Sequence, residues 1–404
     1  MKSPRRTVDL RQVNYQVILR KLYLNGPMSR LELSSQTDLS PSTVTNVTSE
    51  MFEDGVLVEQ GMEESLGGRP RTILDINPDY GYLVGIDLGE THVQLELFDL
   101  TRHKLATFRE PISPGKDSPA RYIQIISENI HKLVASGGIQ REKILGVGIG
   151  VPGVVEHNGQ VSVAAPMWDW KSVRLLEMLE ESLNLPVYID NGAKAMALAE
   201  SWFGAGRGVQ DMVVILVGTG IGAGVITKGT LYRGATNSAG EWGHTKIELN
   251  GRACRCGSQG CLEAYAGAPG IIATLEQLAS HSTPPPEEEQ LTTLTRLVQA
   301  YKNNDPVAGQ VFETTSQVLG AGIANLVNLF NPELIVIGGW AGMLVGEAIL
   351  ENIVRAVKKY SLPLSTTNLQ IGLCQFGQDA ICTGAACLVL EEFLSMNEKF
   401  TRQP

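Results

Sequence analysis

Long apolar runs are scarce in this chain of 404 residues. The most continuous, Met212 to Ile226, is broken by Gly218, Gly220, Gly222 and Gly224, and it falls short of the roughly 18–20 apolar residues a membrane span needs. No apolar stretch follows the basic start Met1-Lys2-Ser3-Pro4-Arg5-Arg6, so the expectation is a cytoplasmic protein with no signal peptide and no membrane insertion. Net positive charge is also missing: the formal charge is −10. Cysteine is absent before position 254, and without an export signal a disulfide framework is not expected of the six that follow.

The distribution of charge matters more than its sum. Residues 1–30 hold seven Lys or Arg against Asp9 alone, and residues 1–71 hold nine of each sign. The remaining 333 residues carry 24 basic and 34 acidic side chains, which is the whole deficit. An acidic body repels phosphates, so any nucleic-acid contact falls to the N-terminal segment. With 43% hydrophobic residues and a length beyond what one core supports, more than one domain is expected.

That segment has helix-turn-helix punctuation. Val13, Val17, Ile18, Leu22 and Leu24 are expected on roughly one helical face, ended by Asn25-Gly26-Pro27. Ser29 with Glu32 forms a capping box pattern, Thr37-Asp38-Leu39 a turn, and Ser40-Pro41 a helix start. In the helix that follows, Val44, Val47 and Met51 point inward. Ser42, Thr43, Thr45 and Asn46 belong to its polar N-terminal part, the expected reader of base edges and phosphates in a major groove. A strand at 55–59, a wing tip Gly67-Gly68-Arg69-Pro70-Arg71 and a returning strand at 72–76 complete a winged module, with Arg69 and Arg71 on phosphate or the minor groove. A protein-docking module of three helices has the same pattern; the basic start and the arginine hairpin favour DNA.

From residue 83 the pattern is α/β. Leu83 to Asp87 ends in the turn Leu88-Gly89-Glu90-Thr91, before the alternating strand Val93, Leu95, Leu97. A second strand ends in Gly218-Thr219-Gly220-Ile221-Gly222, and a third, Leu334 to Ile337, in Gly338-Gly339. Such turns suit close approach to a ligand or simple packing of a hairpin. Two halves that begin alike suggest a duplicated fold with a cleft between lobes. Trp168-Asp169-Trp170 stacks on a ligand or packs a lobe edge, and residues 281–289, with three prolines and three glutamates, read as an exposed loop.

The most specific signal is His244 with Cys254, Cys256 and Cys261. One imidazole and three thiolates complete a tetrahedral set with no open position, which predicts a structural rather than catalytic Zn2+. Glu241 and Glu263 flank it, carboxylates able to accept hydrogen bonds from paired sugar hydroxyls or simply to be solvated.

Taken together, Asp87-x-Gly89-x-Thr91, Gly150-Val151-Pro152-Gly153, Gly240-Glu241-Trp242-Gly243-His244 and Cys254-x-Cys256-Gly257-x-x-Gly260-Cys261-x-Glu263 resemble the ROK family of sugar kinases and sugar-responsive repressors. The resemblance implies a winged helix-turn-helix followed by an actin-like (ribonuclease H-like) two-lobed sugar-kinase fold. The expected divisions are a head at 1–76, a linker at 77–82, lobe 1 at 83–200 with a C-terminal helix at 384–404, and lobe 2 at 201–383. It implies sugar contacts at Asn191, Glu241, His244 and Glu263. It also implies a homodimer or homotetramer whose partners are operator DNA and a sugar or sugar phosphate.

The sequence departs from the family's kinases at two places. Gly192 stands where they carry an aspartate as general base, a loss that typically costs about 10²–10⁴ in rate. Glu90 stands where they commonly have glycine, and would repel ATP phosphates. Asp190, two residues from Gly192, points elsewhere if that segment is extended. These departures predict a regulator, most simply a repressor of carbohydrate genes, and not an enzyme. An active kinase with an accessory head is the alternative, and control by a sugar-transport protein is a third reading.

Overall fold

The computed structural model describes residues 10–63, 71–90, 92–112, 118–156, 159–165, 168–279 and 290–395. Helix α1 (Leu10–Asn25) ends at Gly26, whose φ of +90° only glycine adopts freely. Strand β1 (Met28–Ser29) leads into α2 (Arg30–Thr37), where Glu32 Oε2 accepts from the Ser29 amide at 2.8 Å and Ser29 Oγ accepts from the Glu32 amide at 3.4 Å. Asp38, left-handed at φ 57°, turns the chain toward α3 (Pro41–Glu53), which Ser40 caps by accepting from the Thr43 amide at 3.1 Å. Strands β2 (Leu57–Glu63) and β3 (Arg71–Ile76) complete an antiparallel sheet in the order β1-β3-β2. Residues 64–70, with Arg69 of the wing tip, lie outside the described residues, as does the loop at 281–289.

One expectation for α1 needs correction. The buried stripe is Tyr15, Ile18, Leu19, Leu22 and Tyr23, while Val17 is 39% exposed. The tyrosines turn the helix: Tyr15 donates to Asp54 Oδ2 at 3.2 Å, and the Tyr23 ring lies 5.9 Å from that of Phe203 in the body. An aromatic side chain that finds both packing and a polar partner outcompetes an exposed valine for the inner face.

Residues 77–82 form a turn rather than a free tether. Asn77 caps Pro78–Tyr80, and β4 (Tyr82–Leu88) has already begun at Tyr82. With β5 (His92–Asp99) and β6 (Lys104–Pro111) it makes an antiparallel meander. After α4 (Pro119–Gly137), β7 (Ile144–Val151) returns parallel to β4. A small sheet of β8 (Val154–Val155), β9 (Val161–Ala165) and β10 (Trp168–Val173) follows, then α5 (Leu175–Leu183), β11 (Val187–Asn191) parallel to β7, and α6 (Gly192–Phe203).

The second lobe repeats the plan. Strands β12 (Met212–Val217), β13 (Ile221–Thr227) and β14 (Thr230–Leu231) form the meander. Then come α7 (Glu263–Ala266), α8 (Ala268–Ala279), α9 (Gln290–Lys302) and α10 (Pro306–Phe330), with β15 (Leu334–Gly338), α11 (Trp340–Tyr360) and β16 (Gln370–Leu373) closing the sheet. The strand orders β11-β7-β4-β5-β6 and β14-β13-β12-β15-β16 are equivalent, the duplicated arrangement of the actin-like fold.

The last helix, α12 (Ala380–Ser395), crosses back onto the first lobe and begins four residues before the expected 384. It lies against α6 and the sheet with almost no side chain between. A Cβ at Gly148 would land on Ala385 O, one at Gly85 on Cys382 O, and one at Gly384 on Ala195 O of α6. Helix α6 approaches the second sheet the same way, at Gly224. Two helices thus stand between the lobes, packed backbone to backbone.

Candidate ligand cleft and metal centre

Between the lobes opens a cleft of about 950 Å³. Strand ends carry Asp87, Glu90 and Asn191 to its first wall, while the irregular loop after β14 carries Glu241 and His244, and the start of α7 carries Glu263, to the other. All four residues expected to hold a sugar therefore face one cavity. Its size suits a small ligand.

Asn191 ends β11 and caps α6: its Oδ1 accepts from the Ala193 amide and its Nδ2 donates to Gly153 O, both at 2.8 Å. Gly192 lies next to it on the cleft wall. A Cβ there would first meet Ile381 Cδ1 at 3.5 Å, so the position has room for a side chain and holds none. Asp190 offers no substitute. It is buried on the far side of the strand, accepting from Arg233 Nε and Asn237 Nδ2 at 3.2 Å, with Lys194 Nζ at 3.7 Å. Trp170 is buried edge-on against Tyr122, 5.4 Å between ring centres, and also lines the cleft.

The opposite wall is pinned from within. Glu263 Oε2 accepts from the Ile221 amide at 2.9 Å, and Oε1 accepts from Arg255 Nε at 2.9 Å. The same guanidinium donates through Nη1 to Glu90 at 2.9 Å, reaching across the cleft to the first lobe. Burial raises the pKa of Glu241, with the Glu263 carboxylate pushing the same way and His244 and Lys194 opposing. Arg255 and Trp340 escaped sequence reasoning. Trp340 lines the cleft with its Nε1 3.2 Å from where a Gly218 Cβ would stand. The available signals were a basic residue between Cys254 and Cys256 and an indole directly after Gly338-Gly339.

His244, Cys254, Cys256 and Cys261 converge, their ligand atoms all within 4.8 Å of one another. Cys254 Sγ lies 3.7 Å from His244 Nδ1, and Cys256 Sγ 3.8 Å from Cys261 Sγ. Thiolate bonds of about 2.3 Å at tetrahedral angles separate two sulfurs by about 3.8 Å, so the donor set fits a four-coordinate ion. With Nδ1 turned to the cysteines, the imidazole's other nitrogen remains for a ligand in the cleft.

On the head, Ser42, Thr45 and Asn46 are exposed along one side of α3, while Val44, Val47 and Met51 are buried. Thr43 is half-buried, its hydroxyl 2.8 Å from that of the cap Ser40. Arg71 is exposed at the start of β3. Behind the head, α1 seats on the body: the Arg102 guanidinium lies 5.8 Å from the Tyr23 ring centre, and Arg207 donates to Leu24 O at 2.9 Å.

A winged helix-turn-helix on a two-lobed, actin-like body defines a class of ligand-binding regulators. Comparison with known proteins gives its family. The ROK family model matches residues 83–392, and the chain belongs to that family. The xylose repressor of Caldicellulosiruptor bescii is 34% identical over 396 residues, covering 96% of this chain and 98% of its own. A solved ROK family transcriptional regulator, a homologue of the Escherichia coli Mlc protein, matches with a TM-score of 0.79 at 28% identity, over 96% of this chain and 98% of its own. A ROK family glucokinase from Streptomyces griseus, solved with glucose and AMPPNP, has a TM-score of 0.65 at 30% identity. It covers 77% of this chain while all of its own is matched. The chain thus groups with the family's regulators, which share its full length, rather than with the kinases.

Proposed function

We propose that this protein is a sugar-responsive DNA-binding repressor of carbohydrate uptake or catabolism genes, acting in the cytoplasm. The observation that carries the reading is one helix. Helix α6 begins at Gly192 in the cleft and ends at Trp202 and Phe203, against which α1 of the head is seated. Its 12 residues span about 18 Å, so a shift of the lobes at one end moves the seat of the head at the other. A sugar that prefers one lobe arrangement would change operator affinity by its differential affinity for the two.

In this reading Asn191, Glu241, His244 and Glu263 hold sugar hydroxyls. His244, Cys254, Cys256 and Cys261 hold a structural Zn2+ that supplies rigidity to the sugar-facing loop. Ser42, Thr43, Thr45 and Asn46 read the operator, while Arg69 and Arg71 grip its backbone. The domains divide into a head through residue 76, a first lobe capped by α12, and a second lobe that carries the metal loop. A homodimer or homotetramer presents paired heads; Leu329, Leu362 and Leu364, 77%, 64% and 87% exposed near the ends of α10 and α11, form apolar surface such pairing would cover. A sugar-transport protein is a second candidate partner.

The test is DNA binding under titration with sugar. Fluorescence anisotropy of the protein on the promoter of its own gene is measured against D-xylose first, the sugar in the name of the Caldicellulosiruptor relative, then against other pentoses and hexoses. A release of DNA of ten-fold or more by one sugar is expected. Unchanged DNA affinity with every sugar and sugar phosphate overturns the reading.

A further inference from the structure

The cleft is acidic, and its one guanidinium is already occupied. Its lining includes the carboxylates of Asp87, Glu90, Glu241 and Glu263 against Arg255, with no lysine among the described lining residues. Four acidic groups and one basic group leave three net negative charges when all are ionised, the histidines being neutral. Arg255 donates from Nε to Glu263 and from Nη1 to Glu90, both at 2.9 Å. Its remaining terminal nitrogen packs so close to Gly220 that a Cβ there would strike it.

Three amides of the glycine turns are already taken. A phosphate cradle works by aiming free backbone N–H groups at the ligand. Here the Gly218 amide donates to Gly220 O at 2.8 Å, the Ile221 amide to Glu263 at 2.9 Å, and the Gly89 amide to His92 O at 3.0 Å. Lys194 is buried behind the wall with its ammonium on Asn237. A neutral polyol meets no such obstacle, because carboxylates with free lone pairs are acceptors for hydroxyl donors.

We propose that the effector is an uncharged sugar, and that Glu90, by engaging Arg255 across the cleft, is the residue that excludes sugar phosphates. This rests on the reading of the cleft as a sugar site and adds to it the charge class of the ligand. Removing the Glu90 charge frees one arm of the guanidinium for a phosphate and takes one negative charge from the cleft.

The full-length protein is titrated calorimetrically with D-xylose, D-glucose and N-acetyl-D-glucosamine, and with D-xylose 1-phosphate, D-glucose 6-phosphate and N-acetyl-D-glucosamine 6-phosphate. At least one free sugar is expected to bind at least ten-fold more tightly than its ester. Glu90→Gln is expected to narrow that ratio at least three-fold, and Glu90→Asp, which keeps the charge, to preserve it. An ester that binds as tightly as its parent sugar overturns the proposal and leaves the sugar site standing. A ratio unmoved by Glu90→Gln removes Glu90 as the determinant. Binding of neither set overturns the sugar reading, and this proposal with it.

Discussion

The turn closing β4 and β5 and the turn closing β12 and β13 occupy the same place in two sheets of one strand order, yet they present opposite chemistry. The first carries an acidic side chain, Glu90, whose carboxylate is only 10% exposed because Arg255 holds it. The second, Gly218-Thr219-Gly220, presents backbone, and that backbone is covered by the same guanidinium and by Trp340. A frame that handles ATP needs both turns open to an anion; here one is acidic and the other is closed. The buried Glu90–Arg255–Glu263 set contributes little to stability, since desolvating three charges offsets most of their attraction. What it fixes is the relation between the lobes. Duplicated topology thus sets where the turns stand, and single side chains decide what they do.

The sharpest way to break the equivalence of the two sheets is to add one methyl group to each. Gly148→Ala in β7 drives a Cβ into Ala385 O, backbone that cannot step aside, and should cost about 3 kcal/mol or more. Gly372→Ala in β16 meets nothing within 4 Å and should be close to neutral. Urea denaturation distinguishes them, and equal midpoints would mean that α12 does not rest on the first sheet as described. Next in size is metal removal, which acts first on the second lobe. Elemental analysis should find about one zinc per chain, and chelation should lower the melting temperature by several degrees and abolish sugar binding. The first lobe's sheet should keep its amide protection, and its loss along with the metal would show the lobes to be one cooperative unit.

A smaller effect separates the lobes by pH. Glu96, on β5 of the first lobe, is fully buried and accepts from Lys104 Nζ at 3.1 Å and Gln94 Nε2 at 3.0 Å, while its Oε2 has no partner. Burial, with Asp379 adding to it, pushes its pKa from 4.5 up to about 7. The folded protein then holds a proton between those values that the unfolded chain has released. Stability contributed by this group is present below pH 4.5 and is lost as pH rises through about 7. Asp379, lowered by Lys104 and Glu96, acts in the opposite sense only below the usual carboxylate range. Glu96→Gln should flatten the slope between pH 4.5 and 7, a change of at most about 3 kcal/mol. An unchanged slope would place the titrating group elsewhere.

Local chemistry was legible in the sequence, and long-range chemistry was not. The capping box at Ser29 and Glu32, the Ser40-Pro41 helix start and the inward Val44, Val47 and Met51 follow from spacing, because partners within a few residues are fixed by helix geometry. The convergence of His244 with three cysteines was legible for the same reason: the cysteines share one short loop. Arg255 is different. Its partner Glu90 lies 165 residues away, and no periodicity joins a zinc-type loop to a hairpin in the other lobe. Helix α12 was placed but begun four residues late, since Ile381 to Leu390 is apolar all round and gives no face to read. The stripe on α1 was misread because Tyr23 packs against Phe203 and Tyr15 bonds Asp54, contacts invisible from that segment alone.

The smallest expected effect is no effect at all, and it tests the comparison of the turns most directly. Gly192→Asp restores a carboxylate where the family's kinases carry their base. The position tolerates it: it begins α6, where an acidic side chain suits the helix dipole, and a Cβ there makes ordinary contacts of 3.5 Å with Ile381. If the missing base were the only defect, ATP-dependent sugar phosphorylation should appear. Our expectation is none above background in a coupled ADP assay, because Glu90 still faces the phosphates and Trp340 still covers Gly218. Only the combination Gly192→Asp, Glu90→Gly and Trp340→Gly removes all three obstacles. Turnover in the single variant would show that the turns of the two lobes never closed to nucleotide, and that the base alone separates this regulator from its kinase relatives.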